Sequence, residues 1–143
     1  MRTMNYRTSI KILLTLLAAV ILFHISVIAK VVSYDIAWGG RLQSDSEMYI
    51  FESISILVIL FLGLVLLMKG DYVKFRFKHK TINIVLGIFL ALFLLNTIGN
   101  IFARTNFEKS FAVLTFVFAL LIWTILKTRP VNGQKGTQPK SAK

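Results

Sequence analysis

The sequence predicts an all-α protein, a bundle of four transmembrane helices. Three observations support this fold class: the mean hydropathy is +0.72, 56% of the 143 residues are hydrophobic, and four long stretches lack any Asp, Glu, Lys or Arg. Each stretch is about as long as a helix that crosses a hydrocarbon layer of ~30 Å. A soluble domain of this size lacks the polar surface to cover them. The stretches are Ile12–Ala29, Ser53–Met68, Thr81–Ala103 and Ser110–Leu126.

Helix-capping signals extend these stretches into four predicted spans. Ser44 with Glu47, and Thr105 with Glu108, match the capping box, in which two side chains bond the first free backbone N–H groups of a helix. Thr81 is the candidate cap of the third span. The predicted spans cover approximately residues 8–32, 48–68, 81–103 and 108–127.

Positive charge lies mostly on one side of the predicted spans. If the chain begins inside, the inner segments carry 13 of the 17 lysines and arginines. The positive-inside rule therefore predicts that both termini are cytoplasmic and that the protein is a multi-pass protein of the cytoplasmic (cell) membrane. Residues 1–130 form the predicted membrane domain. The tail, 131–143, is basic and rich in Gly, Gln and Pro, and is predicted to be disordered.

The first span also shares features with a secretory signal peptide. Three basic residues precede it, and small residues near Ala29 resemble a cleavage site. Its apolar run of about 18 residues is longer than the 7–15 residues of a signal h-region, and this length favours a retained span.

The loop between the second and third spans alternates basic and aromatic residues. Its period of two would suit a short strand, but at a membrane face the rings are expected in the interface and the cations at phosphates. We expect anionic lipids of the cytoplasmic leaflet to contact Lys74, Arg76, Lys78 and Lys80. This interpretation accounts for the net charge of +11 without nucleic acid, which is not an expected partner.

Ionisable residues inside a membrane are costly and tend to be functional, so they define the candidate site. Four polar residues lie about 5 to 11 Å outward of their span centres, and Arg104 continues the stripe of Asn96 and Asn100 by one turn. The predicted cluster consists of His24, Glu52, Asn96, Asn100 and Arg104. The alternative to a functional site is a purely structural role for these residues. In that case Glu52 pairs with Arg104 or Arg41, and the asparagines join helices by hydrogen bonds.

The outer loop between the first two spans is a second candidate contact surface. Gly39 and Gly40 predict a turn with unusual dihedral angles. Trp38 is expected to anchor at the outer interface. The residues of this loop predicted to contact a ligand or partner are Tyr34, Asp35, Trp38 and Arg41.

The sequence contains no known catalytic or cofactor signature. It has no cysteine and no HExxH, GxSxG or GxGxxG pattern, and its two histidines do not by themselves make a metal site. Neither a cofactor nor a metal is therefore predicted.

The sequence is compatible with three functions. The first is a non-enzymatic protein that binds a partner protein, a lipid or a small ligand through the outer loop and the cluster. The second is a small-solute or proton-coupled transporter that uses Glu52. The third is a membrane-embedded, lipid-modifying enzyme that uses His24 and Glu52 as an acid–base pair. Besides the bilayer, a partner protein or a second copy of the chain is the expected partner.

Overall fold

The computed structural model describes residues 6–75, 77–103 and 105–128, and every regular element in these ranges is a helix. The long helices are α1 (Tyr6–Ile28), α3 (Asp45–Lys69), α4 (His79–Ile101) and α5 (Asn106–Lys127). The short helix α2 (Tyr34–Ala37) lies between α1 and α3. By length and composition the four long helices can cross a membrane, which confirms the predicted number of spans. The side of the membrane on which the termini lie stays a prediction.

Two connections differ from the predicted boundaries. α1 ends at Ile28, before the predicted end at residue 32, and Lys30 beyond it has a φ of +57°, which a right-handed helix does not allow. α4 begins at His79, and its N-cap is Lys78, whose side chain makes no capping bond. The prediction of Thr81 as the cap is therefore wrong, since the helix begins two residues earlier.

The two predicted capping boxes have different outcomes. At α5, Thr105 Oγ1 accepts from the backbone N–H of Glu108, and the Glu108 carboxylate accepts from the backbone N–H of Thr105, so the box is complete. At α3, Ser44 Oγ accepts from the backbone N–H of Glu47. The Glu47 carboxylate instead accepts from the backbone N–H of Gln43, so this box is half formed. The serine cap alone still satisfies one free N–H group.

The two ends of the bundle are named by their connections. The connection 29–44, between α1 and α3, is the cap segment, and it lies at the cap end. The connection 70–78 joins α3 to α4 at the opposite end, the basic end. α4 packs most extensively on α5, and α1 packs on α3 and α5. The main core occupies the half near the basic end, and its members are Ile10, Leu13, Leu17, Leu62, Val65, Leu66, Met68, Ile82, Leu86, Phe89, Phe118, Leu121, Ile122 and Ile125.

Polar contacts at the basic end tie three helices together. Lys69 of α3 is almost completely buried, and its Nζ donates to Asn83 Oδ1 of α4 at 2.6 Å. The Tyr6 hydroxyl of α1 donates to the backbone carbonyl of Lys69. A buried ammonium is costly unless it is hydrogen-bonded, so these contacts fix how α1, α3 and α4 meet.

The outward helix faces carry large apolar side chains. Leu22, Leu57, Leu95 and Val113, one on each long helix, expose between 65% and 69% of their surface. Contiguous apolar faces of this kind suit contact with lipid rather than with water. In lipid, helices associate mainly through close van der Waals packing and polar contacts, which makes the polar contacts at both ends important.

Candidate functional site

A cavity of about 360 Å³ lies between the cap segment and the main core. All four long helices and the cap segment contribute to its wall, and its volume falls within the ~300–1,000 Å³ typical of ligand cavities. The wall residues are Val20, Phe23, His24, Ala37, Trp38, Arg41, Glu52, Ser55, Val58, Ile59, Leu62, Phe89, Leu92, Phe93, Asn96, Asn100, Glu108, Phe111, Leu114, Thr115 and Phe118.

The cavity opens sideways between α3 and α4. These helices are joined at the basic end by residues 70–78, and the ring centroids of Phe61 and Phe89 lie 6.2 Å apart further along. Nearer the cap end, Val58 of α3 and Leu92 of α4 both line the cavity, yet they are 45% and 46% exposed. Residues that line a cavity and are also exposed lie at its mouth. Asn96 of α4 and Arg41 of the cap segment also line the cavity and are exposed, so the mouth has an apolar edge at Val58 and Leu92 and a polar edge toward the cap end.

Glu52 is a fully buried acid on the cavity wall. Its Oε2 contacts Nδ1 of His24 on α1, and its Oε1 accepts from Nε1 of Trp38 in the cap segment at 2.7 Å. Both carboxylate oxygens thus have partners, as burial in an apolar bundle requires. The structure brings His24 and Glu52 of the predicted cluster together, although they lie 28 residues apart in sequence.

The contact with Glu52 determines what the His24 imidazole can do. If Nδ1 carries the proton that faces the carboxylate, Nε2 of a neutral ring is a proton acceptor. If both ring nitrogens are protonated, His24 and Glu52 form an ion pair. A carboxylate that orients an imidazole in this way is found in general acid–base sites.

The cap segment is held at a second point by an ion pair with α5. Arg41 Nη2 lies 3.1 Å from Glu108 Oε1, so the expectation that Arg41 pairs with Glu52 is wrong. Gly39 lies against the same carboxylate: its φ is +59°, and a Cβ there would be 2.6 Å from Glu108 Cδ. Glycine suits both the left-handed backbone and the close approach. Gly40 also has a positive φ, +72°, which confirms the predicted unusual turn.

Asn96 and Asn100 line the same cavity from α4. Neither side-chain amide has a hydrogen-bond partner among residues 6–75, 77–103 and 105–128. The polar bond between α4 and α5 is made instead by Thr97 and Thr115, whose Oγ1 atoms are 2.9 Å apart. The asparagines therefore do not join helices within the described ranges, and their amides remain available to a ligand.

Two further groups of predicted residues have different placements. Arg104, Arg76 and the tail, 131–143, lie outside the described residues, so the pairing of Glu52 with Arg104 stays a prediction. The remaining predicted lipid contacts are exposed near the basic end, with the last of them in the first turn of α4; they are Lys74, Lys78 and Lys80.

The four residues predicted as outer-loop contacts divide into two pairs. Trp38 and Arg41 line the cavity, and Trp38 is bonded inward to Glu52 rather than anchored only at the interface. Tyr34 packs on a small buried cluster at the cap end, and Asp35 is exposed in the first turn of α2. Only the pair that flanks the two glycines reaches the site.

Sequence reasoning missed the cavity role of Glu108 and the aromatic wall. The sequence assigns Glu108 only to a helix cap, yet the same carboxylate holds the cap segment. The ring centroids of Phe23 and Phe111 lie 5.5 Å apart between α1 and α5, and those of Phe93 and Phe118 lie 5.0 Å apart between α4 and α5. The available signal was the spacing of seven that places Phe111 and Phe118 on one face of α5.

Comparison with known proteins leaves the site to be interpreted from its own geometry. No family model, no curated protein and no solved structure matches the chain. In the part of the chain that the structure describes, no group of three or more His, Cys, Asp or Glu side chains is placed to hold a metal ion.

Proposed function

We propose that this protein is a non-enzymatic binding protein of the cytoplasmic membrane, and that it takes an amphiphilic membrane ligand into the cavity at the cap end. The observation that carries the proposal is the sideways mouth at Val58 and Leu92. The apolar edge of this mouth would admit a hydrocarbon tail from the bilayer. The polar wall beyond it would receive the head group.

The two parts of the cavity wall suit the two parts of an amphiphile. Toward the main core the wall is aromatic and aliphatic, with Phe89 and Phe118 among its members. Toward the cap end it presents the amides of Asn96 and Asn100 and the carboxylate of Glu52. Polar groups in hydrocarbon are costly without partners, so a ligand head group that bonds the amides would be favourable.

The cap segment is held across the cavity at two points. Trp38 holds the segment on α3 through Glu52, and Arg41 holds it on α5 through Glu108. A ligand that arrives through the gap between α3 and α4 would leave both contacts in place.

Blocking the mouth tests the proposal. The protein in lipid nanodiscs is irradiated with a photoactivatable twelve-carbon alcohol, and labelled peptides are located by mass spectrometry. Val58→Trp or Leu92→Trp should reduce labelling of the cavity wall by about tenfold, because the larger ring fills the mouth. Leu57→Trp and Leu95→Trp are matched controls on the same helices, outside the cavity wall, and should label as the unsubstituted protein does. Equal labelling in all five proteins would overturn the proposal.

A second function, a lipid-modifying enzyme, is favoured by one observation, the contact between His24 and Glu52. A paired imidazole and carboxylate are able to move a proton on a bound lipid. Incubation of a total lipid extract with the purified protein and with Glu52→Gln distinguishes the two functions. A new lipid species made with multiple turnovers by the unsubstituted protein, and not by Glu52→Gln, would favour the enzyme. An unchanged extract would favour binding alone.

The basic end supports a separate proposal about lipids. Lys74, Lys78 and Lys80 are exposed there, and Arg76 lies in the same connection in sequence. With the cytoplasmic orientation that charge distribution predicts, they would contact anionic head groups, each contributing about 1 kcal/mol near the surface. Replacement of all four by Gln should reduce copurified anionic lipid and leave labelling of the cavity unchanged. Unchanged lipid content would limit these charges to a role in orientation.

A further inference from the structure

The cavity wall carries no fixed positive charge that is free to balance Glu52 within the described ranges. Trp38, which donates to one carboxylate oxygen, is neutral. Arg41 of the cap segment is bonded to Glu108 of α5, so those two charges compensate each other. α4 presents only asparagine side chains among its polar residues on this wall. Among the described residues of this wall, the remaining titratable group is His24 of α1.

A proton on His24 therefore decides the net charge of the site. Protonated His24 neutralises Glu52 as an ion pair, and neutral His24 leaves a buried carboxylate that has hydrogen bonds but no counter-charge among residues 6–75, 77–103 and 105–128. A buried charge is costly unless it is paired, so a cation bound in the cavity would stabilise Glu52 in the second state. Histidine is the side chain whose charge ordinarily changes between pH 5 and 8.

We infer that the ligand is a cationic amphiphile, a primary amine on a hydrocarbon tail, and that its ammonium group and the proton on His24 exclude each other at Glu52. This inference rests on the proposed function and adds the chemical class of the head group. The ammonium would pair with the carboxylate of Glu52. Its N–H groups would also find acceptors in the amide oxygens of Asn96 and Asn100, which have no partner among the described residues.

The mutual exclusion fixes the sign of the pH dependence. Binding of the amine releases a proton from His24, so by linkage a higher proton concentration weakens binding of the amine. An alkylamine itself stays charged throughout, since amines of the lysine type ionise near pH ~10.4. The apparent affinity should therefore rise with pH, by up to about tenfold per pH unit where binding releases one proton.

Competition against the photoactivatable alcohol tests this inference. Dodecylamine, dodecanol and dodecanoate, which share one tail and differ in the head group, are titrated into nanodiscs of zwitterionic lipid at pH 5.5 and pH 8. Dodecylamine should suppress labelling of the cavity at the lowest concentration. The dodecylamine concentration that halves labelling of the cavity should be lower by about tenfold or more at pH 8 than at pH 5.5. The corresponding dodecanol concentration should be the same at both pH values.

Two substitutions separate the roles of the pair. His24→Gln should make competition by the amine independent of pH. The control is His79→Gln, which changes the histidine at the start of α4, near the basic end and far from the cavity. This control should leave the pH dependence intact. Glu52→Gln should remove the preference for the amine over the alcohol, and the helical circular-dichroism spectrum of the variant shows whether it is folded. Equal competition by amine and alcohol, stronger competition by dodecanoate, or an amine effect independent of pH in the unsubstituted protein would overturn the inference alone. Failure of the alcohol to label the cavity of the unsubstituted protein would overturn the proposed function as well.

Discussion

Nε1 of Trp38 donates to the carboxylate of Glu52 at 2.7 Å, and this bond joins the cap segment to a residue buried inside the bundle. A buried indole N–H usually needs an acceptor, and a buried carboxylate needs donors, so each residue accounts for the placement of the other. The loop between α1 and α3 is consequently part of the cavity wall. Changes in this loop should therefore affect the stability of the helices below it.

Trp38→Phe should lower the free energy of unfolding by about 1–3 kcal/mol, because Glu52 loses a donor while most of the ring survives. Thermal unfolding in detergent measures the loss. Trp123→Phe, near the basic end on a half-exposed face of α5, is the matched control and should change stability by no more than about 0.5 kcal/mol. Equal losses in the two variants would show that the bond to Glu52 contributes nothing specific.

Gly39→Ala and Gly40→Ala separate backbone strain from a steric clash. Both positions have a positive φ, so each substitution should cost about 1–2 kcal/mol from the backbone alone. A Cβ at Gly39 would also collide with the Glu108 carboxylate, whereas a Cβ at Gly40 meets open space. Gly39→Ala should therefore be the more destabilising of the two in thermal unfolding. The reverse order would contradict the close packing of the cap segment on α5.

The ion pair between Arg41 and Glu108 should show a measurable coupling in a double-mutant cycle. One partner is buried and the other is largely exposed, so we expect a coupling of about 0.5–1 kcal/mol for Arg41→Gln with Glu108→Gln. The pair of Lys30 and Asp45 is exposed on both sides, and the same cycle there should give a smaller coupling. Additive losses at Arg41 and Glu108 would mean that their contact does not hold the cap segment.

Cysteine labelling tests the predicted orientation. The chain has no cysteine, so each introduced thiol reports on its own position. In intact cells Ser44→Cys should react with an impermeant thiol reagent, while Lys78→Cys and Ser141→Cys should resist it, because the basic segments are predicted to be cytoplasmic. Labelling of Ser141→Cys without labelling of Lys78→Cys would mean that a span after residue 78 was miscounted. Labelling of both, with Ser44→Cys protected, would reverse the orientation.

The capping patterns show which local features a sequence predicts well. Thr105 and Glu108 form the complete box because both partners lie within one turn of a single helix. Ser44 and Glu47 show the same pattern, but Gln43 offers its own backbone N–H to the glutamate, and half of the box is lost. The spacing of cap and acid in the sequence predicted where both helices start. It did not predict that the Glu47 carboxylate would bond the N–H of Gln43.

The sequence by itself determined the number of spans, because a stretch that must satisfy its backbone groups in hydrocarbon has to form a helix of fixed length. It also placed His24, Glu52, Asn96 and Asn100 at similar depths, since depth follows from the rise per residue. Only the tertiary structure decided that Glu52 meets His24 and Trp38 rather than Arg41, because partners on different helices depend on how those helices rotate and tilt. The sideways mouth of the cavity has the same origin. It depends on how α3 and α4 pack against each other, which no local pattern in either helix encodes.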